Sequence, residues 1–197
     1  MKKNSHSFTR LLVSVAFCSV AMGAQAQGSL STAMAPGNSY VELGIGQSDY
    51  SLGSGSGVFG FDKDTTAYSV RGGGFFNSNM GAEVGYTSFG SIDRAGGTTK
   101  AQGINLSLLG RLPLGASFNL LGKIGTTYSQ TDVSSRPASG IVAGSKNGFG
   151  LAYGVGAEYV FSPQLSGVLQ YESHDLKFAG DRKDRVGVTS LSARYRF

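Results

Sequence analysis

Wherever this chain alternates apolar and polar residues, charge is confined to one of the two rows. Val41, Leu43 and Ile45 form one row and Glu42 falls on the other. The same separation sets Tyr68 and Val70 against Arg71, and Ala82, Val84 and Tyr86 against Glu83. It sets Leu120 and Ile124 against Lys123, Leu151, Tyr153, Val155 and Ala157 against Glu158, and Leu169 and Tyr171 against Glu172. Ile104, Leu106 and Leu108 make a further uncharged row. A period of two belongs to strands with unlike faces. No segment of the mature chain approaches 18 consecutive apolar residues, and no long stretch has helical i, i+3, i+4, i+7 spacing, so the chain is built from strands.

The last twelve residues, Val186 to Phe197, carry the pattern to its clearest form. Leu191, Ala193, Tyr195 and Phe197 alternate with Ser190, Ser192, Arg194 and Arg196. An apolar row on one side and a charged row on the other describe a strand that closes a structure instead of lying at its edge.

Eight strand-like windows precede or include this one: residues 39–48, 65–76, 80–89, 100–112, 117–129, 148–161, 165–173 and 186–197. Their connections alternate in length. Asn77-Ser78-Asn79, residues 113–116 and Ser162-Pro163-Gln164 are short and made of turn formers. Residues 49–64, 90–99, 130–147 and 174–185 are longer and polar. Short turns on one side and long loops on the other are the asymmetry of an outer-membrane barrel.

Aromatic placement decides between a lipid face and a protein core for the uncharged rows. Phe76, Phe118, Phe161 and Phe197 stand at the turn side, and Tyr68, Tyr86, Tyr128, Phe149 and Tyr171 at the loop side, all on the outward parity. Two such belts mark the two interfaces of a membrane. The fold expected is all-β, an eight-stranded antiparallel up-and-down transmembrane β-barrel over residues 39–197. A secreted β-sandwich with aromatics in its core is the rival architecture.

Residues 1–26 read as a signal peptide. Lys2, Lys3 and Arg10 precede an apolar run from Leu11 to Met22, and Ala24-Gln25-Ala26 supplies a small-x-small cleavage pattern. Cys18 suggests a lipoprotein signal as a rival, which the bulky Phe17 disfavours. Residues 27–38 are a short leader. Removing Lys2, Lys3 and Arg10 from the 17 basic residues leaves 14 against 12 acidic, so a nucleic-acid partner is not indicated. The mature chain has no cysteine and one histidine, His174, so no disulfide or metal-ligand set is expected and no cofactor is called for.

The hairpin GGGFFNSNMGAEVGYTSFG, the segment YGVGAEYVFSPQLSGVLQYE and the end LSARYRF resemble the OmpA-like eight-stranded outer-membrane barrels. The resemblance implies localisation in the outer membrane of a Gram-negative cell, contact with outer-membrane lipid and lipopolysaccharide, and a final Tyr195-x-Phe197 read by the barrel-assembly machinery. It also implies a gate of paired lumen charges. Glu83 and Glu158 match the family's lumen glutamates, whereas Val168 and Leu109 stand where the family has lumen Arg and Lys. Arg71, Lys123 and Arg194 share the lumen parity and are the replacement cations, and Glu42 completes the expected lumen charge network. The family's peptidoglycan-binding domain does not follow the barrel here.

Catalysis has a single candidate base, His174, flanked by Ser173 and Asp175. Outer-membrane deacylases have a serine two residues after the histidine, and this chain has Leu176. A lone histidine at a strand end reads as a loop residue, so no catalytic role is expected. Gly44-Ile45-Gly46 and Gly154-Val155-Gly156 lack the third glycine and the helix of a nucleotide-binding loop. The expected function is a structural or surface-interaction role, adhesin or envelope integrity, through the loops, with residues 49–64 and 174–185 as seats for an external ligand and the protein a monomer. A narrow gated pore is the alternative, and a lipid A-modifying enzyme a second one.

Overall fold

The computed structural model describes residues 38–50, 64–94, 97–135, 144–178 and 182–197. The segments expected as a signal peptide and, but for Asn38, as a leader lie outside the described residues, as do most of the expected loop at 49–64 and the centre of that at 130–147.

Eight strands follow one another around a closed antiparallel barrel. They are β1 (Ser39–Tyr50), β2 (Asp64–Phe75), β3 (Met80–Arg94), β4 (Gly97–Pro113), β5 (Phe118–Ser135), β6 (Gly144–Val160), β7 (Leu165–Phe178) and β8 (Arg182–Arg196). Each strand pairs with its sequence neighbours, and β8 returns to β1 in a register running from Tyr40↔Arg196 to Tyr50↔Val186. Closure removes the two free edges that an open sheet would present. The final residue is held in place as well, because the Phe197 amide donates to the Ser39 carbonyl at 3.1 Å.

Local chemistry makes the short turns. The Asn77 side-chain oxygen accepts from the amides of Asn79 and Met80 at 2.9 and 2.8 Å, and the Ser162 hydroxyl accepts from the Leu165 amide at 3.0 Å. Asparagine and serine imitate a backbone turn in this way, so the chain reverses within three residues.

The faces are inverted relative to a soluble protein. Leu43 is 61% exposed, Val155 65% and Leu191 62%, while Glu42, Glu158 and Arg194 are fully buried. A continuous apolar wall of this kind is stable only against lipid. Phe76, Phe118, Phe161 and Phe197 are exposed at the turn end, and Tyr68, Tyr128, Phe149 and Tyr171 at the loop end. Tyr86 is half-buried, its hydroxyl donating to the side-chain oxygen of Gln102.

The strands run beyond the windows expected from sequence. β5 has 18 residues and β4 and β6 have 17 each, against the 9–11 or so that crossing a bilayer requires. The segment 90–99, expected as a loop, is largely strand: β3 and β4 pair as far as Arg94↔Gly97. The segment 174–185 is corrected in the same way, since β7 and β8 pair up to Phe178↔Arg182. Backbone hydrogen bonding continues above the membrane, where the outward row turns polar, as at Gln102, Lys100, Gln130 and Asp132, and the period-two signal fades.

Candidate functional site

The lumen is layered. At the turn end Tyr40, Phe75 and Leu109 form a buried apolar cluster, and at the loop end Ala67, Phe89, Ala101, Leu176, Val186 and Val188 form another. Between them lies a belt of charge. Alternation delivers it: each inward residue is flanked by two lipid-facing ones, and antiparallel register brings Glu42 opposite both Arg71 and Arg194.

Arg194 of β8 is the centre of the belt. Its Nη2 and Nε lie 2.7 and 2.9 Å from Glu42 Oε2, its Nη1 is 3.2 Å from Glu158 Oε1, and its guanidinium stacks over the Tyr40 ring at 4.1 Å. Arg71 of β2 reaches Glu42 at 2.9 Å and also pairs with Glu172. Lys123 of β5 bridges Glu83 and Glu172 at 2.7 and 3.0 Å. Arg196 completes the set by pairing with Glu158. Tyr40 donates its hydroxyl to Glu83 at 2.6 Å, and Asn119 and Ser166 each donate to Glu158 at 2.8 Å.

Thus all six residues of the expected network, Glu42, Arg71, Glu83, Lys123, Glu158 and Arg194, come together. Glu172 and Arg196 join them, so the belt holds four carboxylates and four cations. Both stand on the charged rows read from the sequence, Glu172 against Leu169 and Tyr171 and Arg196 beside Arg194, although neither was counted in the expected network. Val168 and Leu109 are buried in the lumen, where they pack as apolar residues. A charge moved out of water is tolerated only when paired and hydrogen-bonded, and here each carboxylate meets at least two donors.

Glycine makes room for the belt. A β-carbon on Gly85 would lie 2.7 Å from Arg71 Cγ and 3.0 Å from the Val70 carbonyl, and one on Gly154 would lie 2.9 Å from Glu172 Cγ. Both contacts are shorter than packed carbon atoms accept, so these two positions admit the Arg71 and Glu172 stems only as glycine.

His174 corrects the sequence reading. It is not a loop residue: it sits in β7 at 1% exposure, above the charged belt and beneath the apolar cluster. Its Nδ1 is 2.8 Å from the Thr127 hydroxyl, and its ring meets Phe89 edge-on with centroids 5.0 Å apart. The same alternation that buries Gln170 and Glu172 buries residue 174, but the expected strand stopped one residue too early. Among the described residues no group of three or more His, Cys, Asp or Glu side chains could hold a metal ion.

A closed eight-stranded barrel with an apolar outside and a filled, charged inside is a small integral membrane protein of the outer-membrane kind. The chain matches the family of the outer membrane protein beta-barrel domain over residues 11–197 and belongs to it, and its barrel is of the OmpA-like type. Family membership places it in the outer membrane. Among solved structures it is similar to Ail, the attachment invasion locus protein of Yersinia pestis, with 23% identity, a TM-score of 0.56, and coverage of 82% of this chain and 99% of that one. Ail in complex with the heparin analogue sucrose octasulfate gives a TM-score of 0.50 at 20% identity, covering 81% and 99%. Neisserial surface protein A is similar at 16% identity and a TM-score of 0.63, covering 81% and 97%. No curated protein matches the chain by sequence.

Proposed function

We propose that the protein is a surface-interaction scaffold of the Gram-negative outer membrane, exported by the signal peptide at residues 1–26, whose lumen is a core and whose extracellular side carries the function. The observation that carries this reading is the paired charge belt of the lumen, held between two apolar layers. With its interior occupied, a barrel of eight strands has only its outer surface left to offer a partner. The loop at 49–64 and the hairpin tip within 174–185 are the seats for an external ligand, and the role is adhesive or envelope-stabilising and not enzymatic. Ail, by its name an attachment and invasion protein, lends support as a barrel of the same fold. The protein acts as a monomer among outer-membrane lipid and lipopolysaccharide.

A planar-bilayer recording of the refolded mature chain tests the reading. Silence at moderate voltage is expected. A steady, large conductance would replace the scaffold by a gated pore, because it requires the belt to open without rupture of the barrel.

Tyr195 and Phe197 are, in this reading, the signal that the barrel-assembly machinery recognises. Both are exposed on the outer wall at the turn end. Burying one such ring in the interface contributes about 1.5 to 3 kcal/mol, too little to decide the stability of the whole barrel. Deleting Phe197 should therefore lower the outer-membrane yield in cells several-fold while shifting the denaturant midpoint of the detergent-refolded protein only slightly. Normal cellular yield, or equal collapse in both assays, would make Phe197 an ordinary wall residue.

A further inference from the structure

The outer wall of three neighbouring strands changes character in a single step. Tyr86, Ile104 and Tyr128 are cross-strand partners along β3, β4 and β5. The next outward row toward the loops is Ser88, Gln102 and Gln130, and the one above it Ser91, Lys100 and Asp132. Successive outward rows stand about 7 Å apart. The tyrosine row belongs to the loop-side interface, so the two polar rows stand at the depth of lipid headgroups in the outer leaflet.

On this same face the ladder is interrupted. Phe89 and Gly90 of β3 together oppose Ala101 of β4, between the pairs Ser88↔Gln102 and Ser91↔Lys100. Gly90 adopts φ of 80°, and a β-carbon there would lie 2.5 Å from Thr65 Cγ2 and 2.6 Å from the Thr66 carbonyl. Position 90 of the bulge therefore has no room for a side chain. A cleft of about 310 Å³ opens beside it, lined by Ser88, Ser91, Lys100, Gln102, Gln130 and Asp132 together with Gly90 and Ala101. This is the lower end of the size range of ligand sites. The Tyr86 hydroxyl donates to Gln102 Oε1 at 2.8 Å, which turns the amide nitrogen of Gln102 away from Tyr86 as a donor for another partner.

We propose that this cleft seats the phosphorylated sugar headgroup of an outer-leaflet glycolipid, with the acyl chains descending over the Tyr86, Ile104 and Tyr128 row. The lining has one ammonium, one carboxylate, two carboxamides and two hydroxyls. Lys100 supplies the cation for a phosphate, the amides and serines suit ring hydroxyls, and Asp132 accepts from a hydroxyl donor. A zwitterionic phospholipid headgroup would satisfy Lys100 and Asp132 and leave the amide pair unused. The site is independent of what the extracellular loops bind.

The test uses the ¹⁵N-labelled, refolded mature chain in micelles, titrated with purified lipopolysaccharide and, separately, with phosphatidylethanolamine. Amide shifts on addition of lipopolysaccharide should concentrate at Ser88, Ser91, Gln102 and Gln130. Lys100→Gln and Gln130→Ala should each weaken binding, the former by about tenfold or more, as expected for one charge-assisted hydrogen bond. Gln164→Ala, an exposed change in the short turn at the opposite end of the barrel, should leave the affinity unchanged. The wild-type shift map decides the matter even if a variant refolds poorly. Shifts elsewhere on the barrel, equal affinity for phosphatidylethanolamine, or unaltered binding by both cleft variants would overturn the proposal.

Discussion

Replacing Arg194 by Met should lower the unfolding free energy of the detergent-refolded barrel by about 3 to 5 kcal/mol. Arg194 is fully buried and holds Glu42 and Glu158 at once while covering the Tyr40 ring. Methionine fills part of the volume but leaves both carboxylates short of a partner in a medium that solvates them poorly. Most of the loss therefore comes from the stranded acids, and removing one of them should recover part of it. The double variant Arg194→Met, Glu42→Leu should be more stable than the sum of the two single losses predicts, by about 1 kcal/mol or more. Urea-unfolding midpoints of the four proteins measure this directly. A loss below about 1 kcal/mol for Arg194→Met would mean that the belt is wet and its pairs screened, as ion pairs at a surface are. The lumen would then be a channel and not a core.

Gly85→Val should be nearly as damaging, through volume and not charge. The new side chain would start 2.7 Å from Arg71 Cγ, and Arg71 cannot withdraw without giving up Glu42 and Glu172. Overpacking alone costs about 1 to 3 kcal/mol, and loss of the Arg71 pairs adds to it. The expected total is at least about 3 kcal/mol, or failure to refold. Gly122→Val is the matched control, since a β-carbon on Gly122 meets nothing within 4 Å and that position faces lipid. It should stay within about 0.5 kcal/mol of the wild type, because a β-branched residue suits an exposed strand position. Equal behaviour of the two valine variants would show that lumen glycines are not required by the packing of the belt.

The separation of charged and uncharged rows in the sequence determined the barrel. Alternation with period two admits few architectures once one row is wholly uncharged and aromatics gather at both of its ends, and a sheet with such a row in lipid must close, because a free edge would leave its backbone groups unpaired. The same parity determined that Glu42, Arg71, Glu83, Lys123, Glu158 and Arg194 share the interior. It also put Glu172 and Arg196 on the charged rows of their windows, although neither was counted in the network, and it would have added His174 had β7 been followed one residue further. The strand ends were hidden for a physical reason. Hydrophobic periodicity reports contact with lipid, and above the interface the outward residues Gln130 and Asp132 are polar and the inward Thr131 is too, while their backbones stay paired with Gln102, Lys100 and Ala101.

Partner choice within the lumen belonged to the tertiary structure alone. Parity gives a residue's side of the wall, but which cation faces which carboxylate depends on strand stagger and barrel closure, which set depth. Lys123 and Glu83 are 40 residues apart, and Arg194 and Glu42 are 152 apart. The apolar layers above and below the belt were likewise invisible. Leu176, Val186 and Phe89 look like ordinary strand or loop residues until closure turns them toward one another. The cleft beside Gly90 has the same origin. A bulge needs only one unmatched residue, and its sequence signal, a glycine at the expected end of a strand, is what any loop would show; the broken register with β4 is what makes it a site.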